Sequence, residues 1–322
     1  MAGRTVDVEV VKMTSSYDVV VIGGGAAGLN GALMLARSRR SVIVIDSGSP
    51  RNAPAAGVHG FLSRDGIPPA ELLDRGRAEV RAYGGQVMSG EVSLVEMENA
   101  LFAVRLADGR KLNARRLLVA TGLSDELPDI PGVHERWGRD VIHCPYCHGW
   151  EVRDQAIGVL ATGPMSVHQA MLFRQLSADV TFFSHTMPPE QPEEMTARGI
   201  RIVAGVVTSL EVAEDRLVGV RLADDTVIST DAVVVSPRMN ARAVFLAPLG
   251  IQIAEHPAGT YIPADATGRA EVAGVWVAGN VTDLSAQVGA SAAGGAFAGA
   301  QINADLVAEE TREAVAAFRS AA

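Results

Sequence analysis

The sequence predicts an α/β protein made of two Rossmann-like dinucleotide-binding domains, each a three-layer ββα unit, with the second inserted into the first. Three observations predict it. YDVVVIGGGAAGLN at 17–30 is a β-branched run that closes on glycines and leads into a helix-forming stretch. Residues 91–122 and 206–237 each read as three alternating strands, share the pentapeptide VRLAD, and follow a βαβ-like stretch. GVWVAGNVTD at 274–283 is a further apolar strand ending in a small-residue turn, which returns the chain to the first unit.

In the first unit Gly23 permits the turn, Gly25 lets backbone approach a pyrophosphate, and Gly28 lets helix and strand pack closely. Ala26 stands where the helix opens, with unpaired N–H groups for an anion. The next strand, SVIVID, ends at Asp46, placed to accept from a ribose hydroxyl and to disfavour a 2′-phosphate. Polar turns at Glu98-Asn99 and Asp108-Gly109 punctuate the strands that follow. The second unit opens with QAIGVLATGPMSVHQAMLFRQL (155–176) and DVTFFS (179–184), giving strand, turn, helix and strand. The predicted division is a tail over 1–16, a first domain over 17–122 and 246–322, and a central domain over 123–245.

The chain has 322 residues, 48% hydrophobic and 20% charged, enough for two cores. A formal net charge of −9 gives no basic field for a phosphate backbone, so nucleic acid is not an expected partner. The first 16 residues lack a signal-peptide pattern and no apolar run reaches membrane-spanning length, which points to the cytoplasm and away from a membrane. The only two cysteines, Cys144 and Cys147, stand in VIHCPYCHGWE between His143 and His148. Four potential ligands crowded together lack the separated pairs of a structural zinc site, so no metal is expected and redox chemistry is the better reading.

Taken together, GGGAAG, VATG (119–122), HCPYCHG and GVWVAGN resemble the low-molecular-weight thioredoxin reductases, over nearly the whole chain after residue 16. The resemblance implies FAD in the first domain, NADPH and the Cys-x-x-Cys in the central one, and a homodimer. It places Gly23, Gly25, Ala26, Gly28 and Asp46 at the ADP half of FAD, Thr121 and Gly122 closing around it, Asn280 near the ribityl chain, and Gln287 and Val288 by the flavin ring. Asn280 replaces the aspartate usual in that family. The run GASAAGGAFAGA (289–300) is expected to pack closely against the cofactor.

Two departures concern the central domain. Its nucleotide turn reads ATGPMS (161–166), with Ala161 and Ser166 in glycine positions and Pro164 lacking an N–H. After DVTFFS, HTMPPEQPEEM (185–195) has no arginine or lysine, and Glu190, Glu193 and Glu194 would repel a phosphate. NADPH is therefore not expected to bind. CPYCHG and PRNAPAAGVHGFLSRDG (50–66) further resemble the FAD-dependent dithiol oxidases of natural-product biosynthesis, the holomycin and gliotoxin type. From that segment Arg51, Asn52 and His59 are carried over as cofactor-side residues, although His59 also fits as the end of a turn.

This second resemblance implies that a small-molecule dithiol becomes an intramolecular disulfide while O2 becomes H2O2. A substrate thiolate attacks Cys144, the substrate's second thiol displaces it as the cyclic disulfide, and Cys147 passes electrons to the flavin. His148 occupies the place of the reductase acid and is the expected general base; His143 either supports the loop or acts on substrate. Two other readings stand beside it: a reductase fed by another donor such as ferredoxin, and a non-enzymatic flavin redox sensor.

Overall fold

A computed structural model of the chain describes residues 15–190 and 192–321. The expected tail falls on residues 1–14, outside the described residues, and on Ser15 and Ser16, which already belong to the first strand. In the first domain five parallel strands run in the order Gln86–Ser89, Val42–Asp46, Ser15–Ile22, Lys111–Val119 and Val275–Val277. The first strand is apolar on both faces because both are covered. Val19 and Val21 pack with Leu29 and Leu35 of the helix Ala26–Arg37 and with Ile302 of the helix Val288–Ala321. Val20 and Ile22 pack the other way, against Phe102 and Val104 of an antiparallel pair, Val92–Glu98 and Leu101–Leu106. Helices, parallel sheet and meander are the three layers.

The central domain repeats this plan. Its parallel strands run in the order Arg201–Val203, Val180–Phe183, Ile157–Leu160, Ala232–Val234, Val141–Ile142, and its meander is Val207–Ala213, Arg216–Leu222 and Val227–Ser229. The repeated VRLAD has a structural cause. Leu106 N donates to Arg110 O and Ala107 N to Glu91 O; Leu222 N donates to Thr226 O and Ala223 N to Val206 O. Each copy closes the same corner of its meander. The third strand differs between copies: Lys111–Val119 is continuous, but its counterpart breaks after Ser229, where Asp231 N bonds to Ala156 O and Asp231 Oδ2 accepts from Ala156 N. Sequence alternation did not show this break.

Two strands link the domains. Leu123–Glu126 and Arg238–Ala241 pair antiparallel, and Arg51, from the loop after Asp46, forms a bidentate ion pair with Asp125 at 2.6 and 2.8 Å. The small-residue run of the last helix corrects an expectation. Its middle packs on the first helix rather than on a cofactor: a Cβ at Gly295 would stand 1.9 Å from Ala27 O, and one at Gly299 would stand 2.6 Å from Gly31 O. Only the start of that helix, with Val288 and Ser291, reaches the cavity described below. Among the described residues no helix is long and apolar enough to cross a membrane.

Candidate active site

The glycine loop closes by backbone contacts that side chains would prevent. Gly23 has φ +104°, and a Cβ there would meet Ala120 O at 2.4 Å; at Gly28 it would meet Gly23 O at 1.9 Å. At Gly25 nothing lies within 4 Å, because that residue opens onto a cavity of about 740 Å³. Asp46 Oδ1 accepts from Gly24 N at 3.3 Å and Gly48 N at 3.2 Å, and its Oδ2 lies 3.4 Å from Arg77 Nη1. The carboxylate thus shapes the loop and also lines the cavity.

The cavity extends from this loop to the cysteines. Gly23, Gly25, Ala26, Asp46, Arg51 and Asn52 line it from the first half of the chain. Thr121, Gly122, Asn280, Gln287 and Val288 line it from the strand ends and the last helix. Thr121 Oγ1 donates to Arg242 O, holding the crossing strands. Asn280 Nδ2 donates to Asp283 O and Ala286 O, at 3.0 and 2.8 Å. A carboxylate could not donate these bonds, which explains the amide. Gly28 lies beneath the loop, outside the lining.

His59 also lies outside the lining. Its Nδ1 is 3.5 Å from Asp65 Oδ2 and its Nε2 is 3.4 Å from Glu151 Oε1, so it joins a first-domain loop to the segment following the cysteines.

His143, Cys144, Cys147 and His148 bring the redox motif to the same cavity. Pro145–His148 is a single helical turn with Cys144 at its N-cap, which sets the two sulfurs 2.7 Å apart. The Cys144 thiol is drawn down to about 7, chiefly by the Cys147 thiol donating to it, against the penalty of burial; Tyr146 and Cys147 amides and the Arg51 charge help. Cys147 is pushed up because it supplies that hydrogen bond, is buried, and would ionise beside a thiolate. Burial also lowers the pKa of both flanking histidines, with Glu151 opposing the shift at His148. His148 is therefore neutral at pH 7, and its buried Nε2 has no hydrogen-bond partner among the described residues.

The turn at 161–166 is closed on itself. Thr162 N and Gly163 N donate to the buried Ser166 Oγ at 3.2 and 3.3 Å.

The model of the pyridine nucleotide-disulphide oxidoreductase family matches residues 17–310. The chain belongs to that family. It is 31% identical to thioredoxin reductase tcpT of Claviceps purpurea (strain 20.1), over 91% of this chain and 95% of that protein, and 29% identical to thioredoxin reductase sirT of Leptosphaeria maculans, over 90% and 94%. The crystal structure of HlmI superposes with a TM-score of 0.90 at 49% identity, covering 95% of this chain and 98% of that one. An oxidoreductase from Agrobacterium tumefaciens gives 0.85 at 32%, covering 91% and 99%. The chain is thus a thioredoxin reductase-like oxidoreductase.

Members of this family are flavoproteins, typically holding FAD. The residues present fit that group: a backbone cradle open at Gly25, a helix N-terminus at Ala26, and a cavity of ligand size.

Sequence reasoning missed Asp125, Glu151, Gln169 and the internal role of Ser166. Ser166 alone left a signal, as a hydroxyl residue where a glycine was due; the partners of the others are distant in sequence.

Proposed function

We propose that the protein is an FAD-dependent dithiol oxidase that closes an intramolecular disulfide in a small-molecule dithiol and passes the electrons to O2. The observation that carries this reading is the self-bonded turn at 161–166. The amides that would receive a nicotinamide nucleotide's pyrophosphate are spent on Ser166, and residues 185–195 offer no cation for a 2′-phosphate. Electrons then enter through the cysteine pair, which lines the flavin-side cavity. The resemblance of CPYCHG and of residues 50–66 to the dithiol oxidases supports the same direction of flow.

Gly23, Gly25, Ala26 and Asp46 would hold the ADP half of FAD, with Thr121, Gly122, Asn280, Gln287 and Val288 along the rest. When bound, FAD supplies the two-electron acceptor for the reduced cysteine pair, and O2 takes the electrons onward to give H2O2. In the oxidised form of the pair, joined as a disulfide, the substrate's first thiolate attacks Cys144 Sγ and the Cys144–Cys147 bond breaks. Cys147 leaves as a thiolate, which forms with Cys144 in a mixed disulfide and so without a second negative charge beside it. The second substrate thiol attacks the sulfur bonded to Cys144, releasing the cyclic disulfide. The sum is R(SH)2 + O2 → RS2 + H2O2. His148 Nε2, neutral and without a partner, takes the proton of the attacking thiol. A second copy of the chain is the expected partner, as in related enzymes.

Anaerobic visible spectra test the reading. NADPH is expected to leave the flavin absorbance unchanged, a small dithiol to bleach it, and air to restore it with H2O2 formed. Prompt bleaching by NADPH overturns it. A His148→Ala variant should keep its yellow spectrum while dithiol-driven bleaching slows by about 10²–10⁴-fold. Because burial lowers the His148 pKa, parent activity should fall only as pH drops below about 6.5, and this limb should vanish in the variant. Parent-like kinetics would remove His148 from the mechanism.

A further inference from the structure

The helix Ser166–Phe173 begins where a nucleotide-binding helix would receive its ligand, yet its buried Gln169 bonds to the redox loop. Gln169 is 5% exposed. Its Oε1 accepts from Ser236 Oγ at 2.5 Å, which fixes the amide so that Nε2 donates to His143 O at 2.9 Å. The same Nε2 lies 3.0 Å from His143 Nδ1, and Val235 O lies 3.0 Å from that nitrogen on another strand end. One ring nitrogen is thus flanked by a donor and an acceptor. Ser236 is itself tied to the turn through Thr162 Oγ1, which accepts from Ser236 N at 3.1 Å.

We propose that Gln169 is a positioning residue for the cysteine pair. Together with the Val235 carbonyl it brackets His143 Nδ1, so the ring keeps a hydrogen bond whichever nitrogen carries the proton. With the proton on Nδ1, the ring donates to Val235 O and Nε2 offers a lone pair to the cavity. With the proton on Nε2, Nδ1 accepts from Gln169. His143 can therefore accept a thiol proton beside Cys144 or donate one there without losing its anchor. The turn that binds nucleotide in relatives has become a strut from Ser166 through Thr162, Ser236 and Gln169 to the residue preceding Cys144. The charged groups facing His143 are Arg51, from the loop after Asp46, and Asp125, from the crossing strand; Cys144 and Cys147 share its own loop.

This proposal rests on the reading that thiols reduce the enzyme, and its test separates the two. Long-range 15N–1H spectra of histidine-labelled, FAD-loaded protein read the ring directly, without turnover. The parent His143 is expected to show averaged tautomers. Gln169→Leu should shift the ring to the Nδ1–H form, and Gln169→Glu, which places a carboxylate beside it, should raise its titration midpoint. Dithiol-driven bleaching in the Leu variant should slow about tenfold, the scale of one hydrogen bond, with KM unchanged. If that variant does not fold, Ser236→Ala, which frees the amide to flip, is expected to give the same ring shift. Unchanged ring spectra and pH profiles in a folded, FAD-loaded variant overturn the proposal. A parent that no dithiol reduces, with the ring shifts still seen in the Gln169 variants, overturns the oxidase reading alone.

Discussion

In a Cys144→Ser variant a small dithiol should no longer bleach the bound flavin: the anaerobic rate is expected to fall by at least about 10³-fold with FAD still bound. The loss follows from position. Cys144 is the sulfur whose ionised form the fold supports, with the Cys147 thiol, two backbone amides and the Arg51 charge acting on it. The same arrangement gives a pH signature in the reduced parent. Iodoacetamide should modify one cysteine, Cys144, at a rate that rises through about pH 7 and then levels, because the thiolate is present above that pH and protonated below it. Cys147 stays protonated throughout, since its ionisation would put two negative charges side by side. Replacing Cys147 with Ala removes the main hydrogen bond to the thiolate, and the alkylation midpoint should move up towards the ordinary thiol value. An unchanged midpoint would mean that the motif's environment, not the paired thiol, sets the reactivity of Cys144.

The layered fold was legible because its causes are local and repeated. A strand buried on both faces must be apolar throughout, as Val19 to Ile22 are, and a backbone turn without room for Cβ must be glycine, as at Gly23 and Gly28. The cysteines, the histidines beside them and the damaged central turn were visible for the same reason. Pairings across the fold were not. Arg51 and Asp125 stand 74 positions apart, and Gln169 and His143 stand 26 apart; neither member of either pair signals its partner. The small-residue run of the last helix shows how a local signal can be assigned to the wrong neighbour. Its composition called for a close approach, and only the folded chain identifies the approaching surface as the first helix.

That contact yields the second large effect, expected in Gly295→Leu. Ala27 O would lie 1.9 Å from the new Cβ, and because that atom is backbone no side-chain rotamer relieves the clash. The two helices would have to part, opening the packing around Leu35, Ile302 and Leu306. A loss of about 3–5 kcal/mol is expected, at the upper end for a single substitution. Both helices begin at the cavity, at Ala26 and Val288, so flavin should be released at a lower temperature together with the loss of helical circular dichroism. The adjacent Gly294 supplies the control: nothing lies within 4 Å of a Cβ there, and Gly294→Ala should stabilise the helix by roughly 0.5–1 kcal/mol through propensity alone. Opposite shifts at neighbouring glycines would separate contact from composition. If Gly295→Leu melts with the parent, the helix pair does not depend on the close approach, and the small residues of 289–300 need another cause.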